Sequence, residues 1–561
     1  MSADPSGPAD LVFVSGAVYT VDAARRWAQA VAIGGGRIIA LGTDAEVREH
    51  VGPSTEIVNL GGKMLLPGFQ DAHVHPPSAG LDRLRIDLSG THSMEAYAER
   101  IHAYAAAHPE AEWVLGGGWA MDVFPGGAPR VSDLDALVPD RPAFINNRDN
   151  HGAWVNSRAL ERAGVDRSTP DPPDGRFERD ADGTPTGTLH EGAMNVVRRL
   201  VPRVSLDEQI RGLLLAQRYL HSLGITGWQD AIVGEYSTFA DSFDAYLDVA
   251  KDGRLTARVV GALWWERDRA EDQIEGLLER RARANAGRFR ASSVKLMQDG
   301  VCENLTAAVL SPYLVEGEPT GGTGISFVEP ETLRKCVPML DEEGFQVHIH
   351  AIGERGVREA LDGLEAARQM NGPNDHRHHI AHLQVVHPDD VPRFRGLGVT
   401  ANTQALWAAH EPQMDELTIP FLGPERSGWQ YPFGSLVASG ATLAMGSDWP
   451  VSSPNPFWQM HVAVNHREPP DYPYAGPEGP AEETFLPDER IDLATAIRAF
   501  TMGSAFVNHN DDVCGSIEVG KFADLVVIDR NLFEHQPDGF SDAAALLTLV
   551  EGEKVHESPG L

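Results

Sequence analysis

Apolar and polar positions alternate in short runs through the middle of the chain, and longer stretches of helical spacing separate those runs. Eight runs read as strands: "MLLPGFQDAHVH", "GITGWQDA", "LTARVVGALWW", "SSVKLMQDG", "GFQVHIHAIG", "HHIAHLQ", "GVTANTQ" and "TLAMGSDWP". Between several of them apolar residues recur at three- and four-residue intervals. The clearest case is 206–224, which ends on a glycine; 271–287 and 331–344 are others, the last carrying Pro338. Strands alternating with helices predict a (β/α)8 barrel of the TIM type over residues 64–504.

The two ends of the chain follow a different pattern. Residues 10–60 and the region after 515 hold short apolar runs broken by glycines, as in "AVAIGGGRIIALG" and "GSIEVGKFADLVVIDR". These predict short antiparallel strands with tight turns. Neither end has enough strands for a stable sheet alone, so 1–63 and 505–561 are expected to pair into one composite β-sandwich domain. The stretch 80–195 is too long for a loop between strand and helix. It reads as a subdomain inserted after the first barrel strand, capping the barrel's C-terminal face. The proline-rich stretch 467–480 is a candidate lid.

Composition narrows the function. A formal charge of −34 with no basic patch argues against nucleic acid as partner. No run of about 18 apolar residues marks a membrane span, and the first residues lack a secretory pattern. Three scattered cysteines suit a reducing compartment, so a cytoplasmic location is expected. "GGGRIIALG" and "LGGGWAMD" lack the spacing of phosphate-binding loops, and no nucleophile elbow is evident.

The chemistry lies at strand ends. Residues two apart on a strand share a face, so His73 and His75 aim at one point. Lys295 sits in an apolar run that disfavours a free ammonium. His348 and His350 share a face of the fifth strand, and spacing alone does not choose between them. His382 ends the sixth strand and Asp448 ends the eighth. Histidine and carboxylate groups gathered from separate strands suit zinc or a similar divalent ion.

In this order the motifs resemble the amidohydrolase superfamily, and within it the branch of YtcJ-like hydrolases and N-substituted formamide deformylases. The resemblance runs through "PGFQDAHVHP", "RDNHGAWVNSRAL", "GTLHEGA", "VKLMQDG", "HIHAIGERG", "HHIAHLQ", "GSDWPVSSPNP" and "GSIEVGKFADLVVID". It implies that His73, His75 and Asp448 bind one metal, His350 and His382 a second, and Lys295, carboxylated by CO2, bridges them. His350 is then the ligand because the family places it directly before "AIG". One or two ions, zinc first, would lower the pKa of water toward about 7, and Asp448 would act as general acid and base. The chain departs from the branch at Glu354, where Asp is usual, and at His379 and Ala381, where Arg and Glu are usual.

The expected reaction is hydrolysis of the C–N bond of a small N-substituted amide, an N-substituted formamide among them. Trp119, Arg148, His151 and Trp449 are expected to contact the substrate, with Glu191 beside the site and Asp299 behind Lys295. Competing readings are a cyclic-amide hydrolase or deaminase on the same fold, and a scaffold that has lost catalysis. Barrels of this type often pair, so a homodimer is expected.

Overall fold

The centre of the structure is an eight-stranded parallel sheet, in a computed structural model that describes residues 7–561 apart from 90, 237, 238, 471, 474, 476–478 and 536. Its strands are β1 (Phe69–Val74), β2 (Ile225–Val233), β3 (Arg258–Trp264), β4 (Phe289–Met297), β5 (Gln346–Ala351), β6 (His379–His382), β7 (Thr400–Thr403) and β8 (Leu443–Met445). Each pairs in parallel with the next in chain order. The sheet is nearly closed into the expected barrel. Past the end of β8, Asp448 N donates to His73 O at 2.7 Å and His75 N donates to Trp449 O at 2.9 Å. Glycine at 446 permits this approach, because a Cβ there would lie 2.5 Å from His73 N.

Helices cover the outside. In α1 (Leu206–Ser222), Ser205 and Glu208 form a capping box, and Leu213, Ala216 and Leu220 face the sheet. Helices α2 (Pro330–Glu342) and α3 (Glu354–Asn371) bury Leu333, Val337, Leu361 and Leu364 in the same continuous core. Among the described residues no helix is long and apolar enough to cross a membrane.

The chain ends build two small sheets, and strands from both ends share the larger one. One orders Glu553–Glu557, Ala545–Val550, Leu525–Ile528, Met64–Pro67, Ala17–Tyr19 and Trp27–Ala28; the other orders Arg37–Gly42, Ala30–Gly34, Leu11–Val14 and Glu56–Asn59. Phe13, Ile33, Leu65, Val527 and Leu547 fill the space between them. The run 64–75, expected to be one barrel strand, is divided. Met64–Pro67 pairs with Leu525–Ile528, so the chain changes sheet at Gly68 rather than before Met64. A Cβ on Gly68 would lie 2.3 Å from Thr226 Cγ2, which is why a glycine marks the switch. At the other end, residues 505–510 lie under the barrel floor and not in the sandwich: Gln346 Nε2 donates to Val507 O at 2.7 Å.

The insert has its own six-stranded sheet, ordered Gly175–Arg179, Pro185–Glu191, Gly152–Val155, Ala143–Asn147, Val114–Trp119 and Ile86–Asp87. Neighbouring residues enter opposite apolar layers, Ile145 and Trp154 in one, Phe144 and Ala153 in the other. Of the stretch expected to form a lid, residues 471, 474 and 476–478 lie outside the described residues.

Candidate active site

The strand ends converge on one cavity. His73, His75, Lys295, His350, His382 and Asp448 all line it, together with Asp149, Asn150 and His151 from the insert. Asp448 Oδ1 lies 3.0 Å from His75 Nε2 and 3.2 Å from His73 Nε2. Lys295 Nζ lies 3.5 Å from His73 Nε2.

A polar network inside the barrel fixes the His73 ring. His348 Nε2 sits 2.8 Å from His73 Nδ1, and His348 Nδ1 sits 2.6 Å from Gln229 Oε1. The Gln229 amide is oriented by its other end, whose Nε2 donates to Gln346 Oε1 at 2.9 Å and Asn508 Oδ1 at 3.2 Å. Its Oε1 must therefore accept, so His348 Nδ1 donates and His348 Nε2 accepts from His73 Nδ1. That leaves His73 Nε2 as the lone-pair atom facing the cavity. His379 joins the network, its Nε2 donating to the same Gln229 oxygen at 3.0 Å. Both nitrogens of His348 are committed to bracing, whereas His350 faces the cavity, with its Nε2 3.2 Å from the Gly300 carbonyl oxygen.

Three groups at the site sit on strained backbone. His379 and His382 are three residues apart on β6, so strict alternation would turn them to opposite faces. Both nevertheless point inward: His379 meets Gln229, and the His382 ring centroid lies 4.6 Å from that of His73. His382 achieves this with φ +79°. Asp448 (φ +56°) and Glu191 (φ +51°) are also in the left-handed region, at a cost of about 1–3 kcal/mol each that the surrounding fold sustains.

Burial governs the charge states. It lowers the histidines at 73, 348, 350, 379 and 382 well below the ordinary imidazole range, with the Lys295 charge adding to the effect at each. Burial also lowers Lys295 to about 7, against the pull of Asp448. His151 differs. Burial would lower it too, but the Glu191 carboxylate, 2.8 Å from its Nδ1, raises it to about 9. Asp299 accepts from the backbone N–H groups of Ile352, Gly353 and Ala308 at 2.8–2.9 Å, which pins the loop after β5 beside His350.

The expected substrate contacts divide. His151 lines the metal-site cavity. Arg148 and Trp449 line an adjoining cavity of about 270 Å³, and Trp407 walls both. Trp407 also stacks on His382, with centroids 5.4 Å apart and planes 9° apart. Trp119 does not reach either cavity: it is fully buried in the insert core, its Nε1 donating to Ile145 O at 2.9 Å. The motif around Trp119 packs the insert; large apolar area with one satisfied N–H suits that role. Gln229, Glu303 and Glu468 were missed in the sequence, where single polar residues in mixed runs carry no distinguishing signal.

The donor set fits a divalent ion. Donor atoms of His73, His382 and Asp448 lie within 4.8 Å of one another. Of the histidines lining this cavity, His75 and His382 each have a buried Nδ1 with no hydrogen-bond partner among the described residues. Neutral buried imidazoles beside a carboxylate are the ligands zinc prefers.

The model of the amidohydrolase family matches residues 56–556. Protein LONG AFTER FAR-RED 3 of Arabidopsis thaliana is 31% identical over 98% of this chain and 92% of its own. The N-substituted formamide deformylase of Arthrobacter pascens is 26% identical over 98% of this chain and 99% of its own. The crystal structure of an uncharacterized metal-dependent hydrolase from Pyrococcus furiosus is 25% identical, covers 93% of this chain and 99% of its own, and superposes with a TM-score of 0.69.

Proposed function

This chain belongs to the amidohydrolase family, and on that premise we propose that it hydrolyses the C–N bond of a small N-substituted amide, with N-substituted formamides the first class to test. The convergence of His73, His75, Lys295, His350, His382 and Asp448 on one buried cavity carries this reading. These side chains would hold one or two divalent ions, zinc first, which supply Lewis acidity that acidifies water and polarises a carbonyl.

The chain's own groups do the rest. Asp448, hydrogen-bonded at the cavity edge to His75, takes a proton from the attacking water and delivers it to the departing amine nitrogen. Lys295 is deeply buried and titrates near 7, so much of it is neutral amine at physiological pH. A neutral amine adds to CO2 and loses a proton, giving a carbamate with anionic oxygen donors where an ammonium would repel a cation. His151, held protonated by Glu191, donates toward the substrate carbonyl or leaving group from the insert side. The insert roofs the site and limits water.

The test is amine release from N-alkyl and N-benzyl formamides, acetamides and lactams, with and without chelator. Release abolished by chelator and restored by zinc supports the reading. Release of ammonia from a ring substrate would replace it with a deaminase, and no release by metal-loaded protein would favour a non-catalytic scaffold.

A further inference from the structure

The cavity of about 270 Å³ beside the metal site has an electrostatic imbalance that the proposed chemistry does not use. Its three guanidinium groups are already engaged. Arg148 Nη2 contacts Glu411 and Gln413, each at 3.2 Å. Arg83 lies 3.9 Å over the ring of Tyr219, and Arg100 donates to the Asp87 carbonyl.

Two carboxyl groups lining this cavity, Glu468 and Glu303, form no ion pair among the described residues. Glu468 is 7% exposed, and among the described residues neither a hydrogen bond nor an ion pair reaches its side chain; its nearest cationic influence, Arg148, is committed to Glu411. Glu303 accepts from Thr418 Oγ1, at 3.1 Å, and among the described residues no ion pair reaches its carboxyl group. Burying a carboxyl group without a partner is costly, so a side chain placed this way in a cavity calls for a ligand that completes it.

The aromatic walls favour the same kind of ligand. Trp407 and Trp449 border the cavity, and aromatic faces attract cations. Because Trp407 walls both cavities, a group lodged here can belong to a molecule whose amide lies at the metal ligands.

We propose that this cavity binds a cationic tail of the substrate, an alkylammonium group seated between Glu468 and Glu303, so that the preferred substrates are N-substituted amides carrying a second, protonated amine. This rests on the amide-hydrolase reading for the reaction but not for the binding. Burial, with like charge from Glu411, raises Glu468 to about 8; burial, with Asp149 and Glu411, raises Glu303 to about 7. A seated ammonium would reverse both shifts, which makes the pocket respond to a cation rather than to a neutral tail.

The experiment compares two pairs of compounds on the enzyme as purified. For turnover the pair is N-(4-aminobutyl)formamide and N-pentylformamide. For binding, measured by calorimetry, it is the corresponding methanesulfonamides, whose S–N bond resists this chemistry. The ammonium compound is expected to be favoured about tenfold or more in each pair. Glu468→Gln should erase most of that ratio, and Glu303→Gln should reduce it. Selective binding without turnover of either formamide leaves this inference standing and removes the amide-hydrolase reading. Equal binding of the two sulfonamides, or a ratio that neither glutamine variant moves, overturns the inference whatever the turnover.

Discussion

His348 Nε2 stands 2.8 Å from His73 Nδ1, and that one hydrogen bond sets the tautomer of His73 so that its other nitrogen faces the cavity. The setting is enforced from behind by Gln229, whose carbonyl oxygen accepts from both His348 and His379. His379 therefore has a definite job in this chain, as a second donor that fixes the Gln229 amide.

Gln229→Leu removes the acceptor while keeping side-chain volume. His348 then loses its fixed tautomer, and His73 loses its brace. Metal affinity should fall about 10–100-fold, read by competition with a chromogenic chelator. Unchanged affinity in a folded variant would show that the network is packing only.

Lys295→Ala should lower the bound metal and abolish activity. In the unsubstituted protein, stripped and refilled with zinc, recovery should be faster with bicarbonate than in CO2-depleted buffer. The alanine variant should show no bicarbonate response. An equal rate in both buffers would count against carboxylation.

Glu191→Gln tests the state of His151. Glu191 holds His151 at about 9 against burial, so the protonated form persists until pH rises through that value. Without the carboxylate, burial alone acts and the pKa drops. The alkaline limb of kcat/KM should move to lower pH in the variant; a limb that stays put would assign it to another group.

His221 should contribute to acid sensitivity. Burial lowers it to about 4, and it is held between the Ile225 carbonyl oxygen and Thr256 Oγ1, each at 2.8 Å. Its folded pKa lies below its unfolded value, so its contribution is present above about 6.5 and is lost as pH falls toward 4. Between about pH 7.5 and about pH 5, His221→Gln should reduce the loss of unfolding free energy by about 2 kcal/mol, measured by urea titration.

Gly446→Ala places a Cβ against the His73 backbone at the barrel seam. Strand ends there must separate, at a cost of about 1–3 kcal/mol. The same shift moves His73 relative to Asp448, so a lower Tm should come with weaker metal retention.

Much of this protein is determined locally. Alternation and helical spacing are short-range properties, and they suffice for eight barrel strands, for terminal strands too few to stand alone, and for an insert too long to be a loop. The ligand-type residues are legible for the same reason, since strand periodicity places His73 with His75 and His348 with His350. Tertiary structure alone decides what depends on approach between distant segments. It divides 64–75 between two sheets at Gly68, where Thr226 crowds the backbone. It turns His382 inward through a left-handed φ that no pattern of apolar residues encodes. It separates His348, saturated by His73 and Gln229, from His350, which keeps a face to the cavity. It buries Trp119 in the insert core, and among the described residues it leaves Glu303 and Glu468 without an ion pair, because partners come from elements hundreds of residues apart.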